Sequence, residues 1–137
     1  MNEDQKQLII HRMKKAENKM KAANLCYGEQ LFLEAGSNLY YSILNCARAL
    51  LAAIGKDSKS HQGVVHLIND NFIRAGILEE KYGRVFAKAL TVRIKSDYND
   101  FYILEKELIS DMVIDAGAFY QEIKNILSHN YHIEIPE

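Results

Sequence analysis

Residues 79–97 read EEKYGRVFAKALTVRIKSD. Tyr82, Val85, Phe86, Ala89 and Leu90 recur at spacings of three and four, so the 3.6-residue period of an α-helix puts them on one face. The spacing predicts a helix over 79–96, opened by Glu79 and Glu80, which suit the positive end of its dipole. Seven residues beyond Phe86 the stripe should continue at Arg93, and seven beyond Leu90 at Asp97. Two charges stand there instead. Burying an unpaired charge costs several kcal/mol, so this pair is satisfied mutually, bonded to another element, or lines a wet groove.

The same periodicity extends in both directions. A first helix is expected from Glu3 to Tyr27, with Ile9, Met13, Ala16, Met20, Ala23 and Tyr27 on one face and Gly28 ending or kinking it. A second, from Gln30 to Ile54, carries Phe32, Leu39, Tyr40, Ile43, Ala47, Leu50 and Leu51. Ser60 is placed to cap a third helix that buries Val64, Leu67, Ile68 and Phe72, and Gly76 is placed to close it in a left-handed turn. After a loop over 98–104, a fifth helix from Lys106 to Leu127 buries Leu108, Met112, Phe119, Ile123 and Ile126. With one proline, Pro136, nothing interrupts these patterns. The fold expected is all-α, an antiparallel bundle of four to five helices over residues 1–129. The tail over 130–137 alternates Tyr131, Ile133 and Ile135 with polar residues, as a short extended segment does, although termini of this kind are more often disordered.

The chain of 137 residues is long enough for one core and too short for two. A net charge of -1 offers no global pull on nucleic acid or anionic membrane, so any polyanion site is a local patch. No apolar run is long enough to span a bilayer, the N-terminus lacks an apolar signal core, and a cytoplasmic location is expected. Cys26 and Cys46 read as packing residues, and no metal-ligand spacing, phosphate loop or other cofactor signature appears.

Four residues are candidates for chemistry. Arg93 can hold a phosphate, because its planar fork bonds two oxygens at once. Asp97, four residues on, is its neighbour on the helix, and Tyr98 could reach the same place if the helix unwinds there. His61, in the first turn of helix three, sits at a positive dipole end that disfavours its protonation, so a neutral imidazole could serve as general base on a ribose hydroxyl. Asn38, Tyr41 and Asn45, with Ser37, make a polar yet uncharged face of helix two, suited to nucleotide or RNA contacts or to a partner chain. Each has a bland reading: an exposed ion pair, a helix-starting histidine, a partly covered polar face. Lys81, Arg84, Lys88 and Lys95 form a basic strip that reads either as a solvated face or as a track for a phosphate backbone.

Taken in order, Tyr40-Tyr41, Ser60-His61-Gln62-Gly63, the Gly76-Ile77-Leu78 link and Arg93-Ile94-Lys95-Ser96-Asp97-Tyr98 resemble the HEPN family (higher eukaryote and prokaryote nucleotide-binding), in its small prokaryotic branch with an RxxxDY motif. The resemblance covers roughly residues 15–127. It implies a helical bundle, usually a homodimer, often encoded beside a minimal nucleotidyltransferase as a toxin and antitoxin pair. Many members are metal-independent ribonucleases built on an arginine and a histidine in a cleft between protomers. The arginine maps to Arg93; at the histidine's place stands Tyr98, preceded by Asp97. Phenols titrate at about pH 10, which makes them poor bases at neutral pH. Either His61 replaces the missing histidine or the groove binds without cleaving. The expected function is therefore binding of, or action on, RNA or nucleotide through Arg93, Asp97, Tyr98 and His61, without cofactor or metal. The alternative is a noncatalytic dimeric interaction module whose Arg93–Asp97 pair is structural.

Overall fold

The computed structural model describes all 137 residues, Met1 to Glu137. Five α-helices follow one another: α1 (Glu3–Gly28), α2 (Phe32–Ala53), α3 (His61–Ile68), α4 (Glu80–Tyr98) and α5 (Lys106–Tyr131). No strand is present, and the all-α bundle expected from the periodicity is what forms.

α2 is the central helix. Thirteen of its 22 residues are buried, against four of 26 in α1, which places α2 inside the bundle and α1 on its flank. Side chains lock α1 and α2 antiparallel: Gln5 Nε2 donates to Ala52 O (2.6 Å), Arg12 Nη1 to Arg48 O (3.0 Å), and the buried Ser42 hydroxyl to Ala16 O (2.8 Å). α4 and α5 pack on α2 and meet through Tyr82, Phe86 and Phe119, whose rings make edge contacts at 6.2 Å. Burial of Phe86 and Phe119 alone contributes about 3–6 kcal/mol on an area basis.

The boundaries differ from expectation where tertiary packing decides them. Gly28 is still helical, and the left-handed residue of the α1–α2 turn is Gln30 (φ 62°), so α2 starts at Phe32 rather than Gln30. α3 widens after Ile68 into a π-helical turn, Asn69–Ile73, in which Arg74 N–H reaches back five residues to Asn69 O (3.0 Å). Gly76 closes this segment at φ 74°, as its position predicts.

The tail is neither disordered nor independent of the bundle. α5 continues to Tyr131, His132 adopts a left-handed cap (φ 57°), and the chain then runs extended with Ile133 and Ile135 buried in the core. Lys124 Nζ to Glu137 Oε1 (2.9 Å) and Ser128 Oγ to Glu134 Oε1 (2.6 Å) fasten its polar edge.

Candidate functional site

The charges that interrupt the α4 stripe are not in the core. Arg93 Nη1 lies 2.7 Å from Asp97 Oδ1 in an i,i+4 pair, with the side chains 27% and 43% exposed. A pair this open contributes little to stability, about 0.2–0.5 kcal/mol, and leaves the arginine reachable by solvent. Its guanidinium is seated on α2: Cζ stands 5.4 Å from the centre of the Tyr41 ring, within cation–π range. Such a contact contributes about 0.5–2 kcal/mol and fixes the plane of the guanidinium.

α3 brings His61 to the same ring. Ser60 caps the helix by accepting Gly63 N–H at 2.9 Å, and residue 63 must be glycine because a Cβ there would run into the Ser58 and Ser60 hydroxyls. That local chemistry holds His61 in the first turn, where its ring meets Tyr41 edge-on (6.2 Å, 86°) and Tyr40 at 5.5 Å. Partial desolvation, with the charges of Arg48 and Arg93 adding to it, lowers the His61 pKa below its ordinary 6.5. The imidazole is therefore neutral at pH 7, for reasons of packing and nearby cations.

Tyr41 thus gathers Arg93 and His61, with Asp97 attached through Arg93. Three other expected residues join less closely. Tyr98 stays helical and is 86% exposed, so the helix does not unwind to bring it in, and its hydroxyl makes no hydrogen bond in the structure. Asn38 and Asn45 spend their amide donors on their own helix, at Glu34 O (3.1 Å) and Tyr41 O (2.8 Å). Their carbonyl oxygens carry no such bond. The basic strip is solvated, with Lys81 and Arg84 each 3.9 Å from a glutamate, Glu79 and Glu80. No three His, Cys, Asp or Glu side chains cluster closely enough to hold a metal ion.

Two more cations neighbour the cluster, of which Lys19 escaped the sequence reading. Arg48 anchors the loop after α2, its Nη2 donating to Ser58 O (3.1 Å) and its Nε 3.5 Å from Asp57 Oδ1 without a hydrogen bond. Lys19 of α1 places its ammonium 5.9 Å from the Tyr41 ring centre. A signal existed for it: Lys19 lies three residues after Ala16 and four before Ala23, a cation on the inward edge of α1.

With this geometry the sequence comparison becomes specific. The HEPN domain signature matches residues 11–126, which contain α2, α3 and α4 entire. This chain belongs to the HEPN family. Among its relatives, a protein of Methanocaldococcus jannaschii named "Putative toxin MJ0605" is 32% identical over 93% of this chain and 94% of its own length. A "UPF0332 protein" of Archaeoglobus fulgidus is 29% identical over 87% of this chain and 94% of its own. Another "UPF0332 protein", glr0978 of Gloeobacter violaceus, is 37% identical over 63% and 68%. No helix of this HEPN chain is long and apolar enough to cross a membrane.

Proposed function

We propose that this HEPN protein binds RNA or nucleotide phosphate in the groove where Arg93, Tyr41 and His61 meet, as the toxin-type member of a toxin–antitoxin pair. The observation that carries the reading is the half-open Arg93, held by a cation–π seat and a single solvent-exposed carboxylate next to a neutral histidine. An incoming phosphate oxygen can displace Asp97 and take both donors of the fork. The toxin naming of relatives supports the biological class.

Where RNA is cleaved, His61 takes the 2'-hydroxyl proton, the 2'-oxygen attacks phosphorus, and the bond to the 5'-oxygen breaks as that oxygen takes a proton from solvent. Arg93 stabilises the charge that grows on the phosphoryl oxygens. Tyr98 is given no role in this step, because a phenol is a poor base at neutral pH. Two protomers complete the groove: Ile94, Tyr98, Phe101 and Ile103, 47–91% exposed at the α4 end and the loop after it, form an apolar rim suited to a second copy. A minimal nucleotidyltransferase fits as the antitoxin partner, on the strength of the family resemblance.

Incubation of purified protein with single-stranded RNA in the presence of a chelator tests the catalytic part. Cleavage lost in His61→Ala and retained in Tyr98→Phe is expected; cleavage retained in His61→Ala and lost in Tyr98→Phe overturns the role of His61. The amide donations of Asn38 and Asn45 to their own helix favour a second reading, a noncatalytic dimeric module with a structural ion pair, for which RNA would neither bind nor break.

A further inference from the structure

Lys19 has no anion. On the same helix Lys14 and Lys21 both pair with Glu17, at 3.5 and 3.2 Å, whereas the half-buried Lys19 makes neither an ion pair nor a hydrogen bond. Its one defined neighbour is the Tyr41 ring, 5.9 Å from Nζ, the ring that also seats Arg93 at 5.4 Å. α1 and α4 thus each bring a cation to one aromatic side chain on the helix between them. Asp97 is the only carboxylate bonded to either cation. Two cations therefore stand within about 6 Å of one ring centre, and a protein of net charge -1 has no general reason to gather them here.

We propose that Lys19 and Arg93 form a two-cation clamp for one phosphate group, with the Tyr41 ring as its floor. The inference rests on the phosphate-binding reading of the groove and adds α1 to it. The ring face lowers the cost of holding two cations close while no ligand is bound, because its quadrupole attracts both. The bound group carries at least one negative charge, as a phosphodiester of an RNA strand or the phosphate of a free nucleotide. Lys19 supplies a compact point charge and Arg93 the planar fork, a division of labour that suits a tetrahedral anion.

Fluorescence anisotropy with a labelled single-stranded RNA, repeated over a range of salt concentrations, tests the clamp, with competition by adenosine monophosphate and by inorganic phosphate as separate arms. Lys19→Met should weaken binding about tenfold and flatten the slope of log K against log salt by about 0.7, the value of one phosphate contact on a single strand. Lys19→Arg should restore most of both, and Lys14→Met should change neither. Displacement by adenosine monophosphate identifies a nucleotide site, displacement by inorganic phosphate as well identifies recognition of the anion alone, and displacement by neither identifies the strand. If Lys19→Met binds with wild-type affinity and slope while Arg93→Ala does not bind, the clamp is wrong and the groove stands. If the wild type binds none of the three probes, both fall.

Discussion

Arg93 and Tyr41 lie on different helices, 52 positions apart in the chain, yet the guanidinium carbon of one stands 5.4 Å from the ring centre of the other. That contact turns a surface ion pair into an oriented donor. Replacing Tyr41 by leucine keeps bulk but removes the quadrupole, and it should weaken RNA binding about 3–30-fold, the equivalent of about 0.7–2 kcal/mol. Tyr41→Phe should bind like the wild type, because the ring face remains. Equal losses in the two variants would assign the effect to the hydroxyl.

In the proposed phosphate site, Asp97 would compete with the ligand for Arg93. Asp97→Asn should tighten RNA binding about 1.5–2-fold by releasing the fork, given that an exposed i,i+4 pair contributes only about 0.2–0.5 kcal/mol. Its melting temperature should stay within a few degrees of wild type. Weaker binding would make Asp97 a ligand contact.

His61 gives the fold a pH dependence. Its pKa is lowered in the folded protein, mainly by desolvation and further by Arg48 and Arg93, so between its ordinary 6.5 and the folded value the unfolded chain binds more protons. Stability from this group is complete above pH 6.5 and is lost as pH falls through the folded value. Melts across that window should show His61→Gln less sensitive to acid than wild type. Glu17, whose pKa is lowered mainly by its hydrogen bond from Lys21, contributes its own loss below 4.5. A steeper acid loss in the variant would refute the assignment.

The fold was legible in apolar stripes because burial follows helical period: Ile9, Met13, Phe86, Phe119 and Ile123 are all buried as their spacing implies. The anomaly at Arg93 and Asp97 was legible for the same reason, since a charge in a stripe is visible without coordinates. Its seat was not, because Tyr41 reaches Arg93 only through the packing of α4 on α2. Lys19 carried the same kind of signal as Arg93 and was lost among the other lysines of α1. The tail resisted reading on different grounds: alternation shows that Ile133 and Ile135 share a face, but whether a groove receives them depends on α1 and α5 together.

Burial of the tail predicts a cost for shortening it. Ile133→Ala removes a side chain that is 3% exposed and should lose about 2–4 kcal/mol in urea unfolding, as large-to-small core changes do. A loss under about 0.5 kcal/mol would mean that the segment detaches readily in solution.

Tyr40 keeps a buried hydroxyl without a partner, and burial pushes its phenol well above the ordinary range. Tyr40→Phe should therefore be neutral or stabilising by about 1 kcal/mol in the free protein, raising the melting temperature by roughly 2–5 °C. A clear loss of stability would reveal a bond that this hydroxyl makes in solution.

We propose that Arg93 is an open phosphate-binding residue rather than a structural one. Affinity of Arg93→Ala for single-stranded RNA, measured alongside its thermal melt, tests it most directly. At least a tenfold loss of binding, about 1.4 kcal/mol, is expected, with a melting temperature within a few degrees of wild type. Unchanged binding together with a destabilisation of about 3–5 kcal/mol, the signature of a broken buried bridge, would contradict it.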